Sequence, residues 1–589
     1  MRAMIGQFVR RLVKSFSGEA WALRRIRGAL AHMPSSQIAH THFFTRDGKL
    51  ANLFMQEAGW RALYKTRHYF SSLAMQTKET RRAAGPLSLN DILPPAALTA
   101  SLIHNYSWRL TRAPEARLAN QVFHDRTHNA RFIDTEQIRE ICMDLFSQIP
   151  LTENRLGVAV PDVINVFDWL AAKIELQLNQ LYQQSAWDER SERDPILHTA
   201  EALGVDLPTL ASEFGDDVVA KILNAFSLRR GERADRLLFA TEIGGLALSE
   251  DSPLFVDGDR LYAPDANALW IALYNRLLWA SRIGSFNKTR SDYVEERVAQ
   301  IFRHLFGRAN VFRTVWEKKG GPEHDLVILL PDALVVVEVK GAAATPLITT
   351  NDKQNIERLR EHAGKEQSPF YGVSQAQRLI KFVQRQEMPF ALRYGSEWET
   401  AEAKTLDPRT IKRYFAITVT LEEYGSLVTD WSLLDVVDTS IGSPWGVNVF
   451  HLEQLRWAIE RRGWDGFDLL AFLEERIHCH SGMITCDELD FAGYWLMNGN
   501  LAPFSNAGMT FTGINWASVF DELWLERRGL GHITFPDLPR PSLVTSYDHD
   551  AAMRRFTMLV TSPEARHSHF RGIPRLSRPD GRAKSETHE

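Results

Sequence analysis

EHDLVILLPDALVVVEVKG, residues 323–341, is two apolar runs joined by Pro331 and Asp332. Short runs rich in Val, Ile and Leu between turn residues read as strands, and a tight turn between two of them makes the pair antiparallel. Asp325 opens the first run and Glu338 stands near the end of the second, so the hairpin brings the two carboxylates side by side. Glu338 and Lys340 are two residues apart and therefore point to the same face. Val335, Val336, Val337 and Val339 make the second run apolar on both faces, the pattern of a buried strand. An acid and a lysine inside such a strand are unusual. Solvated charges on an edge hairpin would be the bland explanation, and the apolar interior speaks against it. Two close carboxylates repel, and desolvation adds to the cost. A divalent cation resolves the conflict. Mg2+ takes one or two carboxylates and completes its octahedron with water and substrate phosphate, and Mn2+ is the natural substitute. Lys340 would then stabilise the attacking hydroxide or the charge developing on a phosphate.

The segment before the hairpin supplies a further acid. In SDYVEERVAQIFRHLF, residues 291–306, Val294, Val298, Ile301, Phe302 and Leu305 recur at helical spacing and form one apolar stripe. Glu295 lies about 80° from the centre of that stripe and Glu296 about 180° from it. Glu295 is the better placed to reach inward, while a frayed or rotated helix end keeps Glu296 in contention.

An acid on a helix, then Asp325, twelve intervening residues and Glu338-Val339-Lys340 resembles the PD-(D/E)XK nuclease superfamily, within it the restriction-endonuclease-like and nuclease-related branches. The resemblance is tight over about 50 residues and loose over about 170. It implies that Asp325 and Glu338 bind the metal, that Lys340 assists the water and that Glu295 supports the metal or its water. One departure is visible: His324 precedes Asp325, where the family's name has proline. The family's helix after the lysine strand often carries a glutamine. Gln375 and Gln377 both qualify, since they fall on opposite sides of the stripe formed by Ala376, Ile380 and Val383.

Outward from this centre the chain reads as an α+β multidomain protein, with a mixed β-sheet flanked by helices. The 589 residues exceed the ~250–300 that one core usually serves, so several domains are expected. Residues 1–250 are mainly helical, with TEQIREICMDLFSQI (135–149) and VINVFDWLAAKIELQLNQLYQQ (163–184) the clearest helices. Residues 251–455 form the nuclease-like unit, opening with a hairpin at 253–263 and helices at about 267–283 and 291–306. Strands are expected at 309–317, 325–330, 333–340, 413–421 and 446–452, with a helix at 372–386. Residues 456–562 return to helix, and 563–589 are polar enough to stay disordered.

Apolar residues make up 44% and charged residues 24%, an ordinary globular balance, and the net charge is -4. A nucleic-acid surface must therefore be a local patch. Such a patch is offered by Lys353, Arg358, Arg360 and Lys365 after the hairpin and by Arg378, Lys381 and Arg385 on the next helix, though acids are interleaved. The basic amphipathic stretch at residues 1–31 reads first as a docked helix with a solvated face. Three cysteines, Cys142, Cys479 and Cys486, are too few for a disulfide framework, and a cytoplasmic location is expected. No apolar run approaches the ~20 residues that span a bilayer. No GxxxxGK[ST] loop is present, which excludes a P-loop ATP motor. His124 and His128 have the four-residue spacing of helix metal ligands, but Asn129 and polar surroundings read as a loop and a surface cluster. His478, Cys479, His480 and Cys486 are weak zinc candidates because adjacent ligands do not readily converge on one tetrahedron. The expected activity is metal-dependent phosphodiester hydrolysis, on DNA before RNA, in a role such as defence against foreign DNA. The helical regions would serve selection, homo-oligomerisation or a partner protein. The alternative is an inactive nucleic-acid-binding or scaffold protein that keeps the fold.

Overall fold

The computed structural model describes residues 135–184, 203–229, 252–341, 361–479, 488–505 and 516–538, with short breaks inside these spans. The expectations for residues 1–31, for His124 and His128, for the basic stretch at 353–360 and for the tail at 563–589 lie outside the described residues.

Helix α1 (Thr135–Asp144) buries Ile138, Ile141 and Cys142, and α2 (Val160–Gln184) buries Val163, Val166, Phe167, Leu170 and Ile174. The three-and-four spacing puts each set on one face. Four short strands follow, the first two of them within the region expected to be helical. They are β1 (Gly204–Asp206), β2 (Ser227–Arg229), β3 (Leu254–Asp257) and β4 (Arg260–Tyr262), in the order β1-β4-β3-β2. Helices α3 (Leu207–Phe214) and α4 (Asp216–Phe226) lie between β1 and β2. β3 and β4 are the expected hairpin, turning through Gly258 at φ 57°. Two longer helices, α5 (Ala266–Ala280) and α6 (Gly284–Phe306), lead into the main sheet.

That sheet has seven strands: β5 (Val311–Trp316), β6 (Glu323–Leu329), β7 (Ala333–Lys340), β8 (Phe390–Tyr394), β9 (Glu402–Leu406), β10 (Arg413–Thr420) and β11 (Ser443–Asn448). Their order is β11-β10-β7-β6-β5-β8-β9. The β6–β7 hairpin is antiparallel, with Leu326 opposite Val337 and Leu329 opposite Leu334. β10 runs parallel to both β7 and β11, so the sheet is mixed. The connection from β7 to its parallel neighbour β10 includes α7 (Pro369–Gln384), which packs on both strands. Ser368 caps that helix by accepting the Tyr371 N–H at 3.1 Å, and Pro369 opens its first turn.

Two apolar layers sandwich the sheet. On one face Leu326, Ile328, Val335, Val337 and Val339 join a layer that includes α6. On the other, Val327, Leu329, Leu334 and Val336 meet Val373, Ala376, Ile380 and Val383 of α7. The α6-side layer continues into α8 (Val449–Arg461), α9 (Gly466–Arg476), α10 (Glu488–Asn498) and α11 (Ser518–Arg527).

Two expectations need correction. The strand read at 446–452 ends at Asn448, whose side chain accepts the His451 N–H at 2.7 Å and starts α8, so Val449–Leu452 are helical. The β8–β9 hairpin was not expected, because four of the five residues of β9 are exposed and the strand lacks an apolar period. Among the described residues, no helix is long and apolar enough to cross a membrane.

Candidate functional site

Glu338 stands in β7 between β6 and β10, opposite Thr418 of β10, and is 1% exposed. Lys340, two residues on, shares its face: the Lys340 Nζ donates to Gln375 Oε1 of α7 at 2.5 Å and lies 4.0 Å from Glu338 Oε2. α7 comes this close because residue 372 is glycine. A Cβ there would stand 2.6 Å from Thr418 Oγ1 and 3.0 Å from Lys340 Cε. The structure thus resolves the choice between the two glutamines. Gln375 faces the site, whereas Gln377 is buried and donates to the carbonyls of Asp438 and Ile441 at 2.6 and 2.8 Å.

Asp325 reaches the same place by a different route. The β6–β7 ladder stops at Leu326–Val337, and Asp325 Oδ2 accepts the Val339 N–H at 2.6 Å in place of a main-chain partner. The β5–β6 ladder also skips this rung, pairing Arg313 with Leu326 and Val315 with His324. The residue passed over in β5, Thr314, has φ 52°. For a β-branched residue this left-handed conformation costs about 1–2 kcal/mol. Its carbonyl accepts the Gly395 N–H at 3.1 Å.

His324, noted in the sequence only as a departure, is fully buried, and its Nδ1 lies 2.7 Å from Glu338 Oε1. Burial, together with the charge of Arg378, lowers its pKa to about 4 against the opposing pull of Glu317, so the ring is neutral near pH 7. His324 Nε2 has no partner. A ring that donates Nδ1–H to Glu338 leaves an acceptor rather than a donor unsatisfied, and that tautomer is the one assigned here.

On α6 the two acids part company. Glu295 is partly buried, 3.5 Å from Arg313, and lies close enough to Asp325 for the two charges to act on each other. Burial first, and then Asp325, raise its pKa to about 7, with Arg313 opposing. Glu296 is engaged elsewhere, by Arg303 at 3.0 Å and by Arg313. Burial also pushes the Asp325 and Glu338 carboxyls well above the usual carboxylate range; the charge of Glu338 raises Asp325 further, whereas Glu338 is lowered by a hydrogen bond with Asp325 and raised by the charge of Glu295. Lys340 pulls both of them back, and exposed Arg378 does the same for Glu338.

The arrangement is a notch at the rim of the sheet where β6 parts from both neighbours. It holds three acids from three elements, one ammonium and a buried imidazole. Among the described residues, no group of three or more His, Cys, Asp or Glu forms a ready-made cage for a metal ion. Asp325 and Glu338 are nonetheless the hard oxygen donors that Mg2+ or Mn2+ accepts in ones and twos, with water completing the shell. The repulsion between them is a conflict that such an ion relieves. The other candidate ligand set is not assembled in the described residues: Cys479 is half-buried, desolvation pushes its thiol pKa up to about 12, and His478, His480 and Cys486 lie outside them. No protein-family model, curated protein or solved structure matches the chain.

Proposed function

We propose that the chain is a metal-dependent nuclease of the PD-(D/E)XK type, hydrolysing phosphodiester bonds, with DNA the first substrate to test. The observation that supports this is the meeting of Asp325, Glu338 and Lys340 at one break in a sheet, with Glu295 beside Asp325. Asp325 and Glu338 would hold one divalent cation. That ion, when bound, supplies an acidified water and neutralises charge on the phosphate.

The rest is work for side chains. Glu338 keeps one oxygen, Oε1, on His324, and presents Oε2 toward Lys340. Lys340, steadied by Gln375, offers its remaining hydrogens to the attacking water and to a non-bridging phosphate oxygen, where negative charge grows. Glu295, whose pKa is near 7, is suited to accept the proton that water gives up. The attacking oxygen forms its bond to phosphorus as the leaving oxygen departs.

The test is cleavage of a plasmid, and of labelled DNA and RNA in parallel, with Mg2+, with Mn2+ and with EDTA. Cleavage should require the metal, and Lys340→Ala, Asp325→Ala and Glu338→Ala should each lower the rate about 10²-fold or more while leaving the circular dichroism of the fold intact. Cleavage that persists in EDTA or in Glu338→Ala would sink the reading. An intact protein that binds nucleic acid and never cuts it would favour a binding or scaffold role instead.

A further inference from the structure

Among the described residues two non-glycines have positive φ, Arg155 and Thr314. Arg155 sits in a bend, where such a conformation is ordinary, but Thr314 sits inside a strand at the rung occupied by Asp325. In a regular strand, residues an odd number apart point to opposite faces. Phe312 and Val315 are three apart and both belong to the α7-side layer, so β5 changes face between them.

The partner strand changes face at the same rung. Val327 lies in the α7-side layer and Leu326 in the α6-side layer. Regular alternation would point Asp325 to the α7 side and His324 to the α6 side. Instead His324 bonds Glu338, on the α7 side with Lys340 and Gln375, while Asp325 accepts the Val339 N–H and lies within charge range of both Glu338 and Glu295. One break therefore settles two side chains. It brings the Asp325 carboxylate to the Val339 N–H, within charge range of Glu338 and Glu295, and seats His324 against Glu338.

We propose that Thr314 is a positioning residue of this site, whose left-handed backbone switches β5 and β6 to their opposite faces together and so turns Asp325 to its place between Glu295 and Glu338. The consequence for catalysis rests on the nuclease reading above; the conformational claim does not. Proline at position 314 would fix φ near −65° and remove the switch, at a residue that the β5–β6 ladder leaves unbridged. Glycine would keep the switch and relieve its strain. Valine would keep the β-branched shape without the hydroxyl.

The experiment uses the full chain and two readouts, Mn2+ binding by titration calorimetry and the melting temperature. Thr314→Gly should bind Mn2+ as the parent does and melt at or above it, and Thr314→Val should bind as the parent does. Thr314→Pro should lose at least tenfold in Mn2+ affinity. Asp325→Asn relieves the crowding of acids and should raise the melting temperature of the parent, but not that of Thr314→Pro, where residue 325 no longer faces its neighbours. Parental Mn2+ affinity in Thr314→Pro, a clear drop in melting temperature in Thr314→Gly, or an equal loss of binding in Thr314→Val would each overturn the proposal. Should Thr314→Pro fail to fold, the glycine and valine variants still decide it. Absent cleavage with the Asp325→Asn coupling intact would strike the nuclease reading alone. Cleavage with no such coupling would strike this inference alone.

Discussion

Glu338 divides its two oxygens, Oε1 to a buried neutral imidazole and Oε2 toward an ammonium, and that division fixes which way the carboxylate can turn. Groups that orient a metal ligand without touching the metal are typically worth about 10–100-fold in metal affinity. His324→Ala should accordingly weaken Mn2+ binding by about tenfold, read by calorimetry, with the fold retained; unchanged affinity would assign His324 to packing alone. The acids also set a pH dependence. Raised carboxyl pKa values mean that the folded chain keeps protons the unfolded chain has released, so the stability they contribute is whole below about pH 4 and lost as pH climbs through about 7. His324 acts with the opposite sign: its lowered pKa gives stability above the unfolded value of about 6.5 and loses it as pH falls. Between about pH 6.5 and about 8.5 the carboxyls alone change, so the metal-free protein should melt lower at the top of that range, and Glu338→Gln should flatten the fall. A flat melting profile in the parent would contradict the crowding of the acids. That Asp325, Glu338 and Lys340 lie close together was legible from spacing, because the hairpin turn and a period of two determine neighbours, and the preference for Glu295 over Glu296 came from the helical angle. His324 was not legible, because a period of two points it away from Glu338, and only the irregular rung at Thr314 brings it back.

Helix α7 is the element that turns a strand lysine into a held one. Gly372 lets it approach, Gln375 accepts from Lys340, and the Lys340 ammonium also lies 5.9 Å from the centre of the Tyr371 ring. Residues 371, 375 and 378 follow one another at spacings of four and three, so Arg378 continues this row of the helix beyond Gln375. Arg378 is exposed, and its charge is felt at Glu338 and at His324. Under the proposed nuclease reading, it would meet a neighbouring phosphate of a bound strand. Arg378→Gln should reduce the salt slope of DNA affinity by about one and raise KM more than it lowers kcat. An unchanged slope would leave Arg378 as a solvated charge. In the sequence Arg378 stood among seven basic residues with acids between them, and nothing there singled it out. The two glutamines were likewise equivalent by helical angle. The choice fell to Gln375 through the way α7 sits on β7 and β10, a property of packing rather than of period. Element boundaries suffered in the same way at β11, where apolar residues continue from strand into helix without a break and only the Asn448 cap marks the change.

Across the whole molecule, α6 serves the site on one side and ties distant parts of the chain together on the other. Arg297 is largely buried and pairs with Glu453 of α8 at 2.7 Å and with Glu140 of α1 at 2.9 Å. Gln137 of α1 also donates to Glu453 at 2.7 Å. Removing one member of a buried pair strands the others, so Arg297→Ala should cost about 3–5 kcal/mol in a denaturant titration. A loss below about 1 kcal/mol would show the pair to be a surface ornament. Long-range pairings of this kind leave no local sequence signature, and none was visible. The α6-side layer has a practical consequence of the same origin. Trp445 of β11 packs edge-on against Phe472 of α9, its indole N–H donates to Glu488 of α10 at 2.8 Å, and the Tyr274 hydroxyl of α5 donates to the Leu421 carbonyl just after β10. A fragment cut to residues 285–455 would keep every acid and the lysine of the notch, yet it would strip the cover from Trp445, Phe415, Ile417 and Val447. Expressed by itself, that piece should partition into the insoluble fraction. The notch is therefore not a portable cassette, and grafting it onto another protein would demand that the flanking helices travel with it.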